Sequence, residues 1–487
     1  MIMIKKYLYL LAVSALLFSS CIKDDSTTGG NTVSEISLQT PLNSIYTLNQ
    51  GDTLKINPTV LQSNGQQPLK YEWEVNHKLV SNDTKLVYPC KSSGEYTARL
   101  RISNGENIKI YEFKVNVEYA YTKGIYLLAD DNSHAILSYV PTEDTQKSFH
   151  LDILAENNPN ITFGEPCSMT WNKTIGSQKQ DVLLIAAGNP STLYQLDGYE
   201  MVSLFKTAVG EKVSQLEANS DNSTPKTMVI TNDNLYSVAL NSTTIFSQTS
   251  RFTNAVNGSV TLSNYMTPWW RDDLFYAHGD AYFDNTHGSL LAMAIENSSI
   301  PAEILKGTFT GDTLVGMGSV NKQRNMALIT CQKSTGTYYF TYILPGYFSS
   351  DATKRIASNV IYRIAMPAST GISNGAIVRS ARSKNIVYYT NGNNVYAHNV
   401  LANGTFPTAP LFSVGNSTEN IVDMVFSDDD NLIYIATNDS SNAMQGSLYC
   451  YDTQTNALRW SKQHITKKIV KALYRNKIQK IVMCRCS

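Results

Sequence analysis

The stretch His278-Gly279-Asp280-Ala281-Tyr282-Phe283-Asp284-Asn285-Thr286-His287 places two histidines and two aspartates within ten residues. Imidazole and carboxylate groups that close can bind a metal or exchange protons as acid and base. Their spacing matches no metal-binding motif, and a structural or simple polar-loop role is the commoner fate of such a stretch. Ligand contact ranks second, because ligands concentrate on loops, and catalysis third. Asp428-Asp429-Asp430 reads as a solvated turn, with weak calcium binding as its alternative. Trp269-Trp270-Arg271 could stack on sugar rings or peptide aromatics, but its neighbour Pro268 favours wedging between sheets. The chain has no Gly-x-Ser-x-Gly elbow, His-Glu-x-x-His pair, phosphate loop or EF-hand loop. No catalytic residue is therefore assigned, and neither cofactor nor metal is expected.

Composition narrows the partners. Charged residues make up 16% of the chain and the formal net charge is zero, against about 25% charged in an ordinary globular protein. Nucleic-acid binding needs a clustered basic excess, which is absent. A neutral surface rich in Asn, Ser, Thr and Tyr suits uncharged or mixed polymers. Apart from Cys21, the cysteines stand at 90, 167, 331, 450, 484 and 486 without paired metal spacing. They read mostly as free core thiols, since a chain this long does not need a disulfide framework.

The elements that must position these residues are strands. Between residues 34 and 119, Tyr71 to Val75 alternates in polarity. Tyr96, Ala98, Leu100 and Ile102 do so against Thr97, Arg99, Arg101 and Ser103, and Tyr111, Phe113, Val115 and Val117 repeat the pattern. Turn signals at Asn64-Gly65, Ser93-Gly94 and Asn104-Gly105 separate these runs, as in an immunoglobulin-like sandwich. Trp73 lies mid-strand and belongs to the core. The Tyr71-Glu72-Trp73-Glu74-Val75 strand and the Gly94-Glu95-Tyr96-Thr97 segment resemble a polycystic-kidney-disease (PKD) domain. Asn76-His77-Lys78 stands where that family carries Gly-Asp-Gly. The resemblance implies a module that spaces or presents another domain.

From 120 to 475 short apolar runs recur at Ile125–Ala129, Val182–Ala186, Met228–Thr231, Leu274–Ala277, Ala327–Thr330, Ile386–Tyr389 and Leu432–Ala436, spaced 46 to 59 residues apart. Each is followed by a polar turn and another strand, such as Leu235–Leu240, Val395–Val400 or Leu448–Tyr451. Seven such units, with helical periodicity nearly absent, predict a seven-bladed β-propeller. The first unit lacks the earlier strand seen at Ile421–Phe426, and Ile469–Tyr474 resembles it, so the C-terminal strand is expected to close the ring and remove its open edges. The fold class is thus all-β, an Ig/PKD-like sandwich followed by a propeller. Residues 476–487 have no position left in that ring; the sequence from Arg475 onward is basic, and 476–487 are expected to form a peripheral tail. Loops joining second and third strands share one propeller face with the blade-to-blade connections. That face would carry residues 278–287 together with Asp130, Asp131, Asn189, Asn232, Asn391, Asn438 and Asp439, and it is the expected ligand surface. Trp269 to Asp273 would lie on the opposite face.

The N-terminus supplies an address. Lys5 and Lys6 precede an apolar run from Tyr7 to Phe18, too short for a bilayer span but suited to a signal peptide. Ser19-Ser20-Cys21 resembles a lipobox, which implies removal of residues 1–20 and acylation of Cys21. Lys23-Asp24-Asp25, at the start of a tether over residues 21–33, resembles the signal that sends lipoproteins of Bacteroidetes to the outer leaflet of the outer membrane. Lipid anchor, PKD-like domain and divergent propeller together resemble a PKD-like lipoprotein family of Bacteroidetes. The resemblance implies a cell-surface accessory of a Sus-type importer, a TonB-dependent barrel with a lipoprotein lid, that captures a peptide or glycan nutrient. A propeller enzyme (glycosidase, lyase or peptidase) acting on extracellular polymers is the alternative, since fold alone does not decide activity.

Overall fold

The computed structural model describes residues 33–64, 67–142, 149–174, 180–218, 226–231, 235–240, 250–252, 262–271, 277–294, 302–305, 307–322, 324–344, 347–348, 355–356 and 358–476. Contacts divide the chain between Tyr119 and Ala120 into two compact units. No helix among the described residues is long and apolar enough to cross a membrane.

The first unit is a β-sandwich. One sheet has the strand order Ile45–Asn49, Ile108–Glu118, Gly94–Ser103, Lys70–Val75, Lys78–Ser81, with the first pair parallel and the rest antiparallel. Ile36–Leu38 pairs with Val60–Gln62, and Thr53–Ile56 with Leu86–Pro89. Alternation puts Ala98, Leu100 and Ile102 into the core, while Arg99 and Arg101 face outward and bind Glu74 and Glu72 at 2.8 and 2.6 Å. Trp73 is wholly buried, edge-on to Phe113, and its indole N–H donates to the Asp83 carbonyl at 2.9 Å. It is therefore core, with its single polar atom satisfied. Asn76 and His77, where the sequence departs from Gly-Asp-Gly, both have positive φ (46° and 61°) and link strands paired at Val75 and Lys78. Positive φ at both central residues of a two-residue hairpin is the type I′ geometry, so Asn-His replaces glycine without changing the hairpin.

The second unit is a β-propeller. Its sheets follow the chain as antiparallel meanders, each opening on an inner strand: Pro166–Lys173, Val213–Ala218, Leu262–Arg271, Asp312–Val320, Val378–Ala381 and Glu419–Phe426 begin the second to seventh sheets. In the first sheet the inner position is taken by the last strand, Lys468–Arg475, paired with Gly124–Asp130, which pairs with Ala135–Pro141. The inner strands pack on one another in cyclic order, the C-terminal one lying between those of the seventh and second sheets. Second strands such as Asp181–Ala187 and Leu432–Asp439 are buried on both faces, which is why they appear in the sequence as continuous apolar runs. Apolar layers fill the gaps between sheets; Tyr126, Leu137, Leu183 and Ile185 pack between the first and second, and Leu127, Ala436, Leu448 and Ala472 between the seventh and first.

One polar device repeats. An acidic residue at or just before the start of an inner strand accepts from a threonine on the second strand and from a donor farther out. Glu211 takes Thr231 Oγ1 (2.6 Å) and the Tyr236 hydroxyl. Asp312 takes Thr330 Oγ1 (2.7 Å) and Arg363 (2.6 Å), and Glu419 takes Thr437 Oγ1 and the Tyr449 hydroxyl (2.8 Å). Buried carboxylates are tolerable only when coordinated in this way, so these bonds fix each sheet's strands in register.

Arg475 ends the closing strand. Its side chain is buried, donates to the Gly198 and Tyr121 carbonyls, and lies 4.2 Å above the Trp171 ring. Guanidinium on an indole face adds cation–π attraction to these bonds. Of the C-terminal segment, residues 477–487 lie outside the described residues.

Candidate functional site

The turns joining second and third strands hold much of the expected ligand surface, but their carboxylates are engaged in building the turns. Asp130 accepts from the Ser133 amide at 2.7 Å across a turn whose Asn132 and Ser133 have positive φ. Asp131 lies 3.3 Å from Lys467, a residue in the connection between the seventh sheet and the closing strand. Asp439 accepts from the Ser441 hydroxyl (2.6 Å) and amide and from Thr418 Oγ1 (3.0 Å), which hold its carboxyl below the usual range. Asn438 spends both ends of its amide on the backbone of Ile469, at 2.8 Å each. It therefore clamps the closing strand.

Residues 278–284 are not a loop. Ala277–Asp284 is the second strand of the fourth sheet, and the turn is only Asn285–Gly288. The reason is visible in the residues: Ala277, Gly279, Ala281 and Phe283 alternate with His278, Asp280, Tyr282 and Asp284, a period of two whose small members hide the strand pattern. His278 lies opposite Trp270 at the start of the strand, and Asp284 ends it. At about 3.3 Å per residue the two are on the order of 20 Å apart, so His278 and His287 cannot share one site. Asp284 is buried, and accepts from His287 Nδ1 (2.6 Å) and the Thr286 amide (2.8 Å). Of the expected Leu274–Ala277 run, Ala277 opens this strand and residues 274–276 lie outside the described residues. Trp269 to Arg271 end the inner strand Leu262–Arg271, away from the turn face. Asp428, Asp429 and Asp430 diverge: Asp429 accepts from Ser427 Oγ (2.6 Å), Asp430 from the Ser383 amide (2.7 Å), and Asp428 from Asn476 (2.7 Å). No group of three metal-ligating side chains occurs among the described residues. Cys21, Lys23, Asp24 and Asp25 lie outside them.

The residues that do converge come from inner strands. In five inner strands the pairing with the second strand slips by one residue at the same level, between Pro166 and Ser168, Val213 and Gln215, Leu314 and Gly316, Ile421 and Asp423, and Ile469 and Lys471. Such bulges re-aim the following side chain. The re-aimed residues are Ser168, Gln215, Gly316, Asp423 and Lys471. Two make the same bond to the next sheet: Ser168 Oγ accepts from the Leu216 amide at 3.0 Å, and Asp423 Oδ2 from the Ala472 amide at 3.0 Å. Lys471 Nζ, on the first sheet, reaches Gln215 Oε1 on the third at 3.4 Å. Those sheets are not neighbours in the ring, so this contact crosses beside the axis.

Arg379, on the sixth sheet, donates to Asp423 Oδ1 at 2.6 Å, and the Met424 amide donates to the same oxygen at 2.9 Å. Gln215 in turn donates to Glu217 at 3.3 Å. Burial pushes the Asp423 carboxyl up, but Arg379, Lys471 and the two amides outweigh it and hold it below the ordinary value. Burial pushes the Lys471 ammonium down; Asp423 and Glu217 oppose that shift and Arg379 adds to it. Five sheets thus contribute to one polar cluster of mixed charge. Its signal was present in the sequence: a charge interrupts two matching apolar runs, Ile421-Val422-Asp423-Met424 and Ile469-Val470-Lys471-Ala472.

Comparison with known proteins names the first unit. Residues 34–104 match the PKD-like domain family. The match ends before the Ile108–Glu118 strand of the same sandwich. None of the curated proteins matches the chain. Similar solved structures include a quinoprotein alcohol dehydrogenase-like protein of Bacteroides thetaiotaomicron, 15% identical over 92% of this chain and 100% of that one, TM-score 0.48. The periplasmic gluconolactonase of Pseudomonas aeruginosa is 9% identical over 73% and 99%, TM-score 0.49. The Dos1 propeller is 10% identical over 72% and 87%, TM-score 0.43. Likeness at this distance transfers no activity.

Proposed function

We propose that this chain is a lipoprotein of the outer membrane, exposed at the cell surface, whose propeller binds a peptide or glycan nutrient for a Sus-type importer and whose PKD-like unit spaces the propeller from its anchor. The anchor is Cys21, and Lys23, Asp24 and Asp25 form the export signal. One observation carries the binding reading: polar side chains of separate sheets converge beside the propeller axis, around Asp423, Lys471, Arg379 and Gln215. A site assembled from several rigid strands holds its donors and acceptors in place before a ligand arrives, which lowers the ordering cost of binding. The rival reading, an enzyme acting on extracellular polymers, draws support from Lys471, whose depressed ammonium would supply a base or nucleophile.

The two readings separate in one experiment. Full-length protein in detergent is incubated with peptide and glycan mixtures, and bound and free fractions are analysed by mass spectrometry. Recovery of an unchanged ligand, lost in Asp423→Asn protein whose melting temperature stays close to the parent's, supports binding. Appearance of new products that Lys471→Met abolishes supports the enzyme, and retention unaffected by either substitution removes the axial site from consideration.

A further inference from the structure

We infer that the axial site takes a ligand through a carboxylate group, and that Lys471 receives it. This rests on the reading that the propeller binds its ligand at the axis, and adds the chemical class of the contact.

The argument is one of donors and acceptors. Asp423 already holds three donors of the protein: Oδ1 accepts from Arg379 and the Met424 amide, and Oδ2 from the Ala472 amide. Its charge is countered on the Arg379 side. Lys471 feels the charges of Asp423 and Glu217 through space but hydrogen-bonds to neither. An ammonium carries three donors, and the bond that the described residues give it is a long one, 3.4 Å, to the neutral Gln215 amide oxygen. Ser168 Oγ also approaches that oxygen at 3.4 Å. Two donors therefore share one weak acceptor beside the axis, and a stronger acceptor placed there would draw both.

A carboxylate fits better than its competitors. Hydrogen bonds between ammonium and carboxylate are shorter and about twice as strong as neutral ones, whereas a hydroxyl or amide oxygen would only repeat what Gln215 provides. Arg379 and Lys471 balance Asp423 and Glu217, so a monoanion adds a single charge, and a phosphate dianion would add two in the same partly buried space. Gly316 bears no side chain at the level where the other bulged strands place theirs.

The carboxylate could be a peptide's C-terminus or the acid group of a uronic sugar, and paired probes separate these sources. Full-length protein in detergent is titrated by calorimetry with trialanine and its C-terminal amide, and with trigalacturonate and its methyl ester. The expected result is that one free acid binds and its blocked form binds at least tenfold more weakly. Lys471→Gln and the apolar Lys471→Met should each weaken the free acid at least tenfold without changing the blocked form. Lys471→Arg should restore part of the preference, which a purely structural lysine would not require. Equal binding of free and blocked forms, or no binding by either acid, overturns the carboxylate inference. A ligand recovered from the mixtures whose affinity ignores Lys471 substitution but falls in Asp423→Asn protein of near-parental melting temperature overturns this inference alone; one that ignores both overturns the axial reading as well.

Discussion

Asp423 shows what a single buried charge does in this protein. It is about 1% exposed and ties three inner strands, through Arg379, Ala472 and its own backbone. Removing one partner of a buried ionic group leaves the others uncompensated, at about 3–5 kcal/mol. Asp423→Ala should therefore lower the unfolding free energy of the propeller, read from urea titration, by about that amount, and Asp423→Asn by less, since the amide oxygen still accepts one bond. His398 makes a separate prediction. It is buried between Phe340 and Phe406, each ring 4.6 Å away, and burial lowers its pKa to about 4 from 6.5. Between those values the unfolded chain binds a proton that the folded chain refuses, so stability falls as pH falls. The contribution is complete above pH 6.5 and is lost progressively toward pH 4, amounting to roughly 3 kcal/mol at most. Urea titrations at pH 7 and pH 4.5 should show this slope reduced in His398→Phe. An unchanged slope would mean that other groups dominate.

At the scale of elements, legibility followed burial. Strands buried on both faces, such as Val182–Ala186 and Leu432–Ala436, wrote themselves into the sequence as apolar runs and fall in second strands of their sheets. The strand over 277–284 did not, because glycine and alanine occupy its small-residue face and look like loop. The axial cluster was half legible: the likeness of Ile469–Tyr474 to Ile421–Phe426 was evident, yet the charge inside each run gained meaning only when the bulges aimed both at one axis. No spacing in one dimension brings residue 471 to residue 215. The engagement of Asn438 and Asp439 was equally hidden, since a turn carboxylate or amide reads alike whether it faces ligand or backbone. The closing strand gives the test at this scale. Arg475 fixes its end by two carbonyl bonds and by the Trp171 ring. Arg475→Ala should cost about 2–3 kcal/mol, and deletion from Ile469 onward should abolish the cooperative unfolding transition. Deletion of residues 477–487 should leave the melting temperature nearly unchanged. If that shorter deletion alone prevents folding, the ring needs more than Arg475 to close.

For the whole molecule the question is where it works, and the proposed answer rests on the first 33 residues. The acyl chains proposed on Cys21 would supply most of the membrane affinity, at about 0.8 kcal/mol per buried methylene, and the net charge of zero leaves little electrostatic attraction to replace them. Cys21→Ala should therefore move the protein from the membrane pellet to the soluble fraction, or leave it unprocessed with its signal peptide attached. Replacement of Lys23, Asp24 and Asp25 together by alanine should act differently, keeping the lipid and losing the address. That variant should remain in the membrane pellet but become resistant when protease is added to intact cells, whereas the parent protein is cleaved. The two measurements fail in different ways. A Cys21→Ala protein that still pellets after a high-salt wash means that something other than lipid holds it. A triple variant that stays protease-accessible means that export to the surface is encoded elsewhere, and the proposed partnership with an importer would then lose its geographic basis without touching the axial site.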